Sequence, residues 1–179
     1  MKKIKFVSLI ITLVFVLTGC NAVAETNAEP VDASQMMNKG DVAATFKLMD
    51  VKGDSYDLAD LAGEKVYIKF WASWCPICLA GLEEVNTLAG ETNDFKVFTI
   101  VSPGYKNEKN SDAFIKWYTG VEGVENLTVL FDEDGTLTQK YGVRGYPTSA
   151  FIGSDGVLIK TQAGHINNED IQTEMDNIF

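Results

Sequence analysis

Cysteine and histidine are scarce in this chain of 179 residues, which has only Cys20, Cys75, Cys78 and His165. That scarcity excludes several functions. A closed zinc site needs about four Cys or His ligands. With Cys20 used elsewhere, as argued below, the other three leave the set one short. Covalent haem attachment needs C-x-x-C-H, but Leu79 follows Cys78. A peroxidatic T-x-x-C pattern fails because Ala72 stands three residues before Cys75. The acidic run Asp132-Glu133-Asp134-Gly135 lacks the spaced oxygen ligands and terminal glutamate of an EF-hand and reads as a turn. Internal repeats and low-complexity tracts are also absent. No metal and no cofactor is expected. What remains for Cys75-Pro76-Ile77-Cys78 is a dithiol/disulfide pair. The competing reading is an inert crosslink, but so small a loop gains little stability from one.

Long apolar runs are missing too. The longest, residues 6–17 (FVSLIITLVFVL), falls short of the roughly 20 residues that span a bilayer. It follows a basic MKKIK start and precedes Leu17-Thr18-Gly19-Cys20. That pattern resembles a bacterial lipoprotein signal peptide, residues 1–19, cleaved to leave Cys20 as a lipidated N-terminus. Acyl chains on Cys20 would hold the protein on the extracytoplasmic face of the cell membrane, where disulfide chemistry is permitted. Residues 20–41 read as this cysteine plus a flexible tether, polar, small and without period. A coil of about 20 residues spans on the order of 25 Å. Met36-Met37 reads as incidental.

Positive charge is the third shortage. Fifteen basic residues face 25 acidic ones, a formal net charge of −10. Cleavage would remove Lys2, Lys3 and Lys5 and no acid, leaving 12 against 25, or −13. This excludes nucleic acid as partner and suits a soluble envelope domain.

What is present, from 42 to 179, is alternating strand and helix with 46% hydrophobic composition across the chain. Residues 45–49 and 54–57 flank the turn Val51-Lys52-Gly53 and predict a hairpin. A short helix over 58–62 ends near Gly63. KVYIKFW (65–71) and FKVFTIV (95–101) are continuous β-prone runs, as in strands buried on both faces. A helix is predicted from Pro76 to Ala89, with Leu79, Leu82, Val85 and Leu88 as its apolar stripe; Pro76 suits a first helical turn. Further elements are a helix over 111–119, a strand over 127–131, a short helix over Thr136–Tyr141, strands 148–152 and 157–161 around Ser154-Asp155-Gly156, and a last helix over 168–178. The pattern implies an α/β domain: a central mixed β-sheet flanked by helices, with an N-terminal β-hairpin.

The segments FWASWCPIC, YGVRGYPTSAFI and IGSDG together resemble the thioredoxin superfamily, specifically the membrane-anchored TlpA/ResA-like thiol–disulfide oxidoreductases, over roughly residues 42–179. The added helix–strand element between strands 95–101 and 127–131 also resembles that subfamily. A thioredoxin-like fold is therefore expected. The resemblance implies that Cys75, at a helix N-terminus that favours its thiolate, attacks a partner disulfide, and that Cys78 resolves the mixed disulfide. It implies a cis Tyr146–Pro147 bond facing the dithiol, with Tyr146 offering its backbone to a substrate strand. Trp74, Pro76 and Ile77 would support the site, with Trp74 in the exposed platform and Trp71 in the core. Two positions depart from the pattern. The buried acid six residues before the first cysteine is here Lys69, and the glutamate three residues after the second is Gly81. Lys69 could tune the thiols as a cation or a desolvated base. Alternatively its stem packs in the sheet while its ammonium reaches water or pairs with an acid such as Glu84. His165 reads as a solvent-facing loop residue.

Three functions compete. The first is a reductase passing electrons from a membrane thiol carrier of the CcdA/DsbD type to client protein disulfides, such as those of methionine sulfoxide reductase or cytochrome c maturation proteins. The second is an oxidase installing disulfides with the same pair, since reduction potential sets the direction. The third is a binding lipoprotein that merely inherits the fold, against which both cysteines, the tryptophan and Pro147 argue. The resemblance further implies a monomer.

Overall fold

The computed structural model describes residues 38–179. The expected signal peptide, Cys20 and the Met36-Met37 pair lie outside the described residues. Among the described residues, eight strands and five α-helices follow one another. They are β1 (Asp41–Val42), β2 (Lys47–Met49), β3 (Ser55–Asp57), β4 (Lys65–Phe70), α1 (Pro76–Ala80), α2 (Leu82–Gly90), β5 (Phe95–Val101), α3 (Ser111–Tyr118), β6 (Val129–Phe131), α4 (Thr136–Lys140), β7 (Thr148–Ile152), β8 (Val157–Ala163) and α5 (Asn168–Asp176). Short 3₁₀ turns occupy Leu58–Leu61 and Glu133–Gly135.

Six strands form one sheet in the order β1-β8-β7-β4-β5-β6. β4, β5 and β6 run parallel, whereas β7, β8 and β1 add antiparallel partners. The sheet is therefore mixed, as expected. The β2–β3 hairpin stands apart and docks on β6 through an Asp50–Leu130 bridge. Asp50 shapes its turn by accepting the N–H groups of Lys52 and Asp54.

Strand β4 explains its own sequence. Val66, Ile68 and Phe70 face a core with Ile100, Leu130, Ala150 and Ile152. Tyr67 and Trp71 face the other side, against α2, α3 and α5. Covered on both faces, the strand has no use for alternating polarity, and Lys69 is the one cation buried in it.

Three expectations need correction. The predicted helix 76–89 is two helices, because Gly81 (φ −100°, ψ 7°) breaks the helical path. The apolar stripe therefore starts at Leu82, and Leu79 points outward, 38% exposed. The tether does not run to residue 41: Asn38 bonds Asp155 and the Phe179 carbonyl, and Asp41–Val42 pair with β8. Two-residue β1 was invisible because two residues carry no period.

Candidate active site

Strand pairing assembles the site. Phe70, the last residue of β4, lies opposite Thr148, the first of β7. The chain leaving β4 toward Cys75 and the chain entering β7 through Tyr146–Pro147 thus meet at one end of the sheet.

Cys75 caps α1 with an extended backbone, and its Sγ accepts the Cys78 N–H at 3.3 Å. Cys75 and Cys78 are joined as a disulfide, with their Cα atoms 5.2 Å apart. Both are buried. The Tyr146–Pro147 bond is cis, matching the expectation. The Tyr146 carbonyl oxygen lies 3.7 Å from Cys75 Sγ. Its ring meets Trp74 edge-on, with centroids 5.9 Å apart. Pro76 is the first residue of α1. Trp74, Ile77 and Leu79 are exposed, so an apolar rim surrounds a nearly buried disulfide. Trp71 is wholly buried among Phe114, Trp117 and Tyr118. The fold thus brings Trp74, Cys75, Pro76, Ile77, Cys78, Tyr146 and Pro147 to one place.

It missed Glu108. This buried residue lies in the segment between β5 and α3. Its carboxylate accepts the Ser73 N–H at 2.5 Å, the Ser73 hydroxyl at 2.6 Å and the Lys109 N–H at 2.7 Å. Lys109 Nζ donates to Ser73 Oγ at 2.6 Å and lies over the Trp117 ring. Lys106, from the same segment, donates to the Val143 and Arg144 carbonyls and lies over Tyr146. The segment therefore holds both chain entries to the site. No sequence signal announces this, because the partners are 35 residues apart in an aperiodic loop. Glu108→Ala would strand the buried Ser73 donors. We expect a loss of about 2–4 kcal/mol, read as a lowered urea midpoint.

Lys69 corrects another expectation. Its ammonium does not reach water: the side chain is 1% exposed, and Nζ has no hydrogen-bond partner among the described residues. Burial lowers its pKa from 10.5 to about 8, against an opposing pull from the Glu84 charge. Nor is Glu84 in ion-pair contact with it. Glu84 instead pairs with His165 Nε2 at 3.0 Å and accepts the Asn168 N–H at the start of α5. His165 is therefore an anchored, one-third exposed residue rather than a free loop side chain. A β-carbon on Gly81 would fall 2.7 Å from His165 Nδ1 and 3.4 Å from Lys69 Nζ. Only a glycine leaves room for His165 in this position.

A mixed sheet flanked by helices, a Cys-Pro-Ile-Cys disulfide at a helix start and a facing cis-proline define a thioredoxin-like thiol–disulfide oxidoreductase. Comparison with known proteins agrees. The Redoxin family profile matches residues 38–178, and the chain belongs to that family. Within it, the chain is a TlpA/ResA-like member of the thioredoxin superfamily. It is 48% identical over 130 residues to an uncharacterised protein of Haemophilus influenzae, covering 72% of this chain and 83% of that one. It is 27% identical to the thiol-disulfide oxidoreductase ResA of Halalkalibacterium halodurans, covering 78% and 76%. Among solved structures, the pneumococcal exposed lipoprotein thioredoxin Etrx1 of Streptococcus pneumoniae is 46% identical, with a TM-score of 0.73 over 75% of this chain and 100% of that one. The N-terminal domain of PilB from Neisseria gonorrhoeae is 30% identical, with a TM-score of 0.66 over 73% and 87%.

Proposed function

We propose that this protein is an extracytoplasmic, lipid-anchored reductase. It receives electrons from a membrane thiol carrier of the CcdA/DsbD type and passes them to client protein disulfides. Cys75 is the nucleophile and Cys78 the resolving thiol. The Cys78 N–H directed at Cys75 Sγ stabilises the thiolate when the pair is reduced. The thiolate attacks one client sulfur, forming a mixed disulfide and releasing the other client sulfur as a thiolate. Cys78 then attacks Cys75 Sγ, closing the internal disulfide and releasing the client reduced. Two electrons have moved from protein to client.

The observation that carries this reading is the apolar rim. Trp74, Ile77 and Leu79 stand exposed around the disulfide, and the Tyr146 carbonyl beside Cys75 offers a backbone acceptor to an extended client strand. The location is supported by the lipobox ending at Cys20 and by similarity to an exposed lipoprotein thioredoxin. Methionine sulfoxide reductase is the client class we favour, with cytochrome c maturation proteins the other candidates. Cys78→Ser protein mixed with oxidised methionine sulfoxide reductase is expected to form a covalent adduct that dithiothreitol releases. If the adduct is absent while a cytochrome c maturation protein is trapped, the client assignment is wrong.

A further inference from the structure

Charge is distributed unevenly around the disulfide. Residues 38–179 hold 12 basic side chains against 22 acidic ones, or −10. The three segments that border the disulfide depart from this balance. Residues 72–80 carry no charge, residues 143–147 carry Arg144 alone, and residues 104–110 carry Lys106, Lys109 and Glu108. Three cations thus meet one acid, and that acid is buried, with its carboxylate taken up by Ser73 and the Lys109 N–H.

Contacts hold the cations beside the site. Lys106 Nζ bonds the Val143 and Arg144 carbonyls at 3.0 Å and lies 5.5 Å from the centre of the Tyr146 ring. Lys109 Nζ reaches Ser73 Oγ at 2.6 Å, two residues before Cys75. Arg144 stands exposed two residues before Tyr146, whose carbonyl adjoins Cys75 Sγ. The acids bordering this arc are Asp134, exposed beyond Gly104, and Glu84, which is paired with His165 near Gly81. Salt decides which of these charges a client meets. At about 0.1 M ionic strength the screening length is about 10 Å. Acids on distant strands and helices are then damped, while the three cations within a few residues of the disulfide are not.

We infer that Lys106, Lys109 and Arg144 select clients, favouring a protein segment that carries aspartate or glutamate beside its disulfide. The inference rests on the reading of Cys75 as the nucleophile toward client proteins and adds which clients it takes. The segment's apolar side chains lie on Trp74 and Ile77, and its carboxylates meet Arg144 and Lys106. Lys109, with its ammonium on Ser73, contributes charge more than contact. A segment with lysines in the same places is repelled, so the arc discriminates as well as attracts.

The test uses short blocked peptides whose single cysteine is flanked on each side by glutamate, serine or lysine, each joined to a copy of itself as a disulfide. Release of free peptide thiol by the reduced protein gives a rate constant for each peptide at about 0.1 M salt. Arg144→Glu is expected to lower the ratio of the glutamate to the lysine rate constant about five- to tenfold, with the serine peptide moving least. Lys106→Gln, which removes one charge rather than reversing one, should lower it about threefold. Arg144→Lys should keep the ratio within about twofold of wild type, and about 1 M salt should shrink every difference. Comparison within one variant separates client charge from thiol reactivity, because a change in Cys75 itself moves all three peptides alike. An unchanged ratio in Arg144→Glu, or three peptides slowed equally, overturns the inference. Failure of the wild type to reduce any of the three would instead overturn the reductase reading.

Discussion

Replacing Cys75 with serine is expected to lower dithiothreitol-driven insulin reduction by at least about a thousandfold, while Cys78→Ser stops the reaction one step later. The asymmetry follows from burial and hydrogen bonding. Cys75 Sγ receives the Cys78 N–H and lies beside the Tyr146 carbonyl at the open end of the sheet. Cys78 is shut beneath α1 among Trp71, Leu82 and Val85. Cys75, 5% exposed against 0% for Cys78, is therefore the sulfur that the proposed mechanism presents to a client. Cys75→Ser should therefore form no adduct with any disulfide, whereas Cys78→Ser should accumulate a stable mixed disulfide. Mass spectrometry of each variant after incubation with oxidised glutathione reads the difference. Adduct formation by Cys75→Ser, with none by Cys78→Ser, would reverse the assignment.

Lys69→Met is expected to raise stability. Charged Lys69 is held without a hydrogen bond in a buried strand, and its pKa falls from 10.5 to about 8. That shift corresponds to about 3 kcal/mol favouring the neutral form. The pH sign follows. Between about pH 8 and 10.5 the unfolded chain binds the proton that the folded protein has lost, so stability rises with pH there and is lower below pH 8. Tyr118, raised to about 12 chiefly by burial, acts in the opposite sense, and its contribution is lost as pH climbs from about 10 to 12. Wild-type urea midpoints should thus increase from pH 8 to about 10 and fall beyond. Lys69→Met, apolar and of similar length, should remove the rise and add about 1–3 kcal/mol at pH 7. A variant less stable than wild type at pH 7 would show that the lysine is held by favourable contacts, contrary to this account.

Much of this molecule could be read from the chain. The central strands were legible because burial on both faces leaves continuous runs such as FKVFTIV, and β5 and β7 occupy the predicted spans. The dithiol was legible because its chemistry needs two cysteines at that spacing, and the cis-proline because the segments around it resemble the thioredoxin superfamily. The break at Gly81 was harder. A glycine inside a helical period is ordinarily tolerated, and only the close approach of His165 explains it. Glu108, Lys106 and the Glu84–His165 pair were not legible, since each acts across loops whose meeting the sheet topology decides. Lys69 was noticed as a departure, but its depth was not: the same residue could have snorkelled, and only the helices covering β4 prevent it.

The reduction potential of the Cys75–Cys78 couple, measured against glutathione or dithiothreitol buffers, tests the proposed direction of electron flow most directly. A reductase fed by a membrane thiol carrier requires a value near that of thioredoxin, about −270 mV. A value near that of DsbA, about −120 mV, would contradict it and make the protein an oxidase.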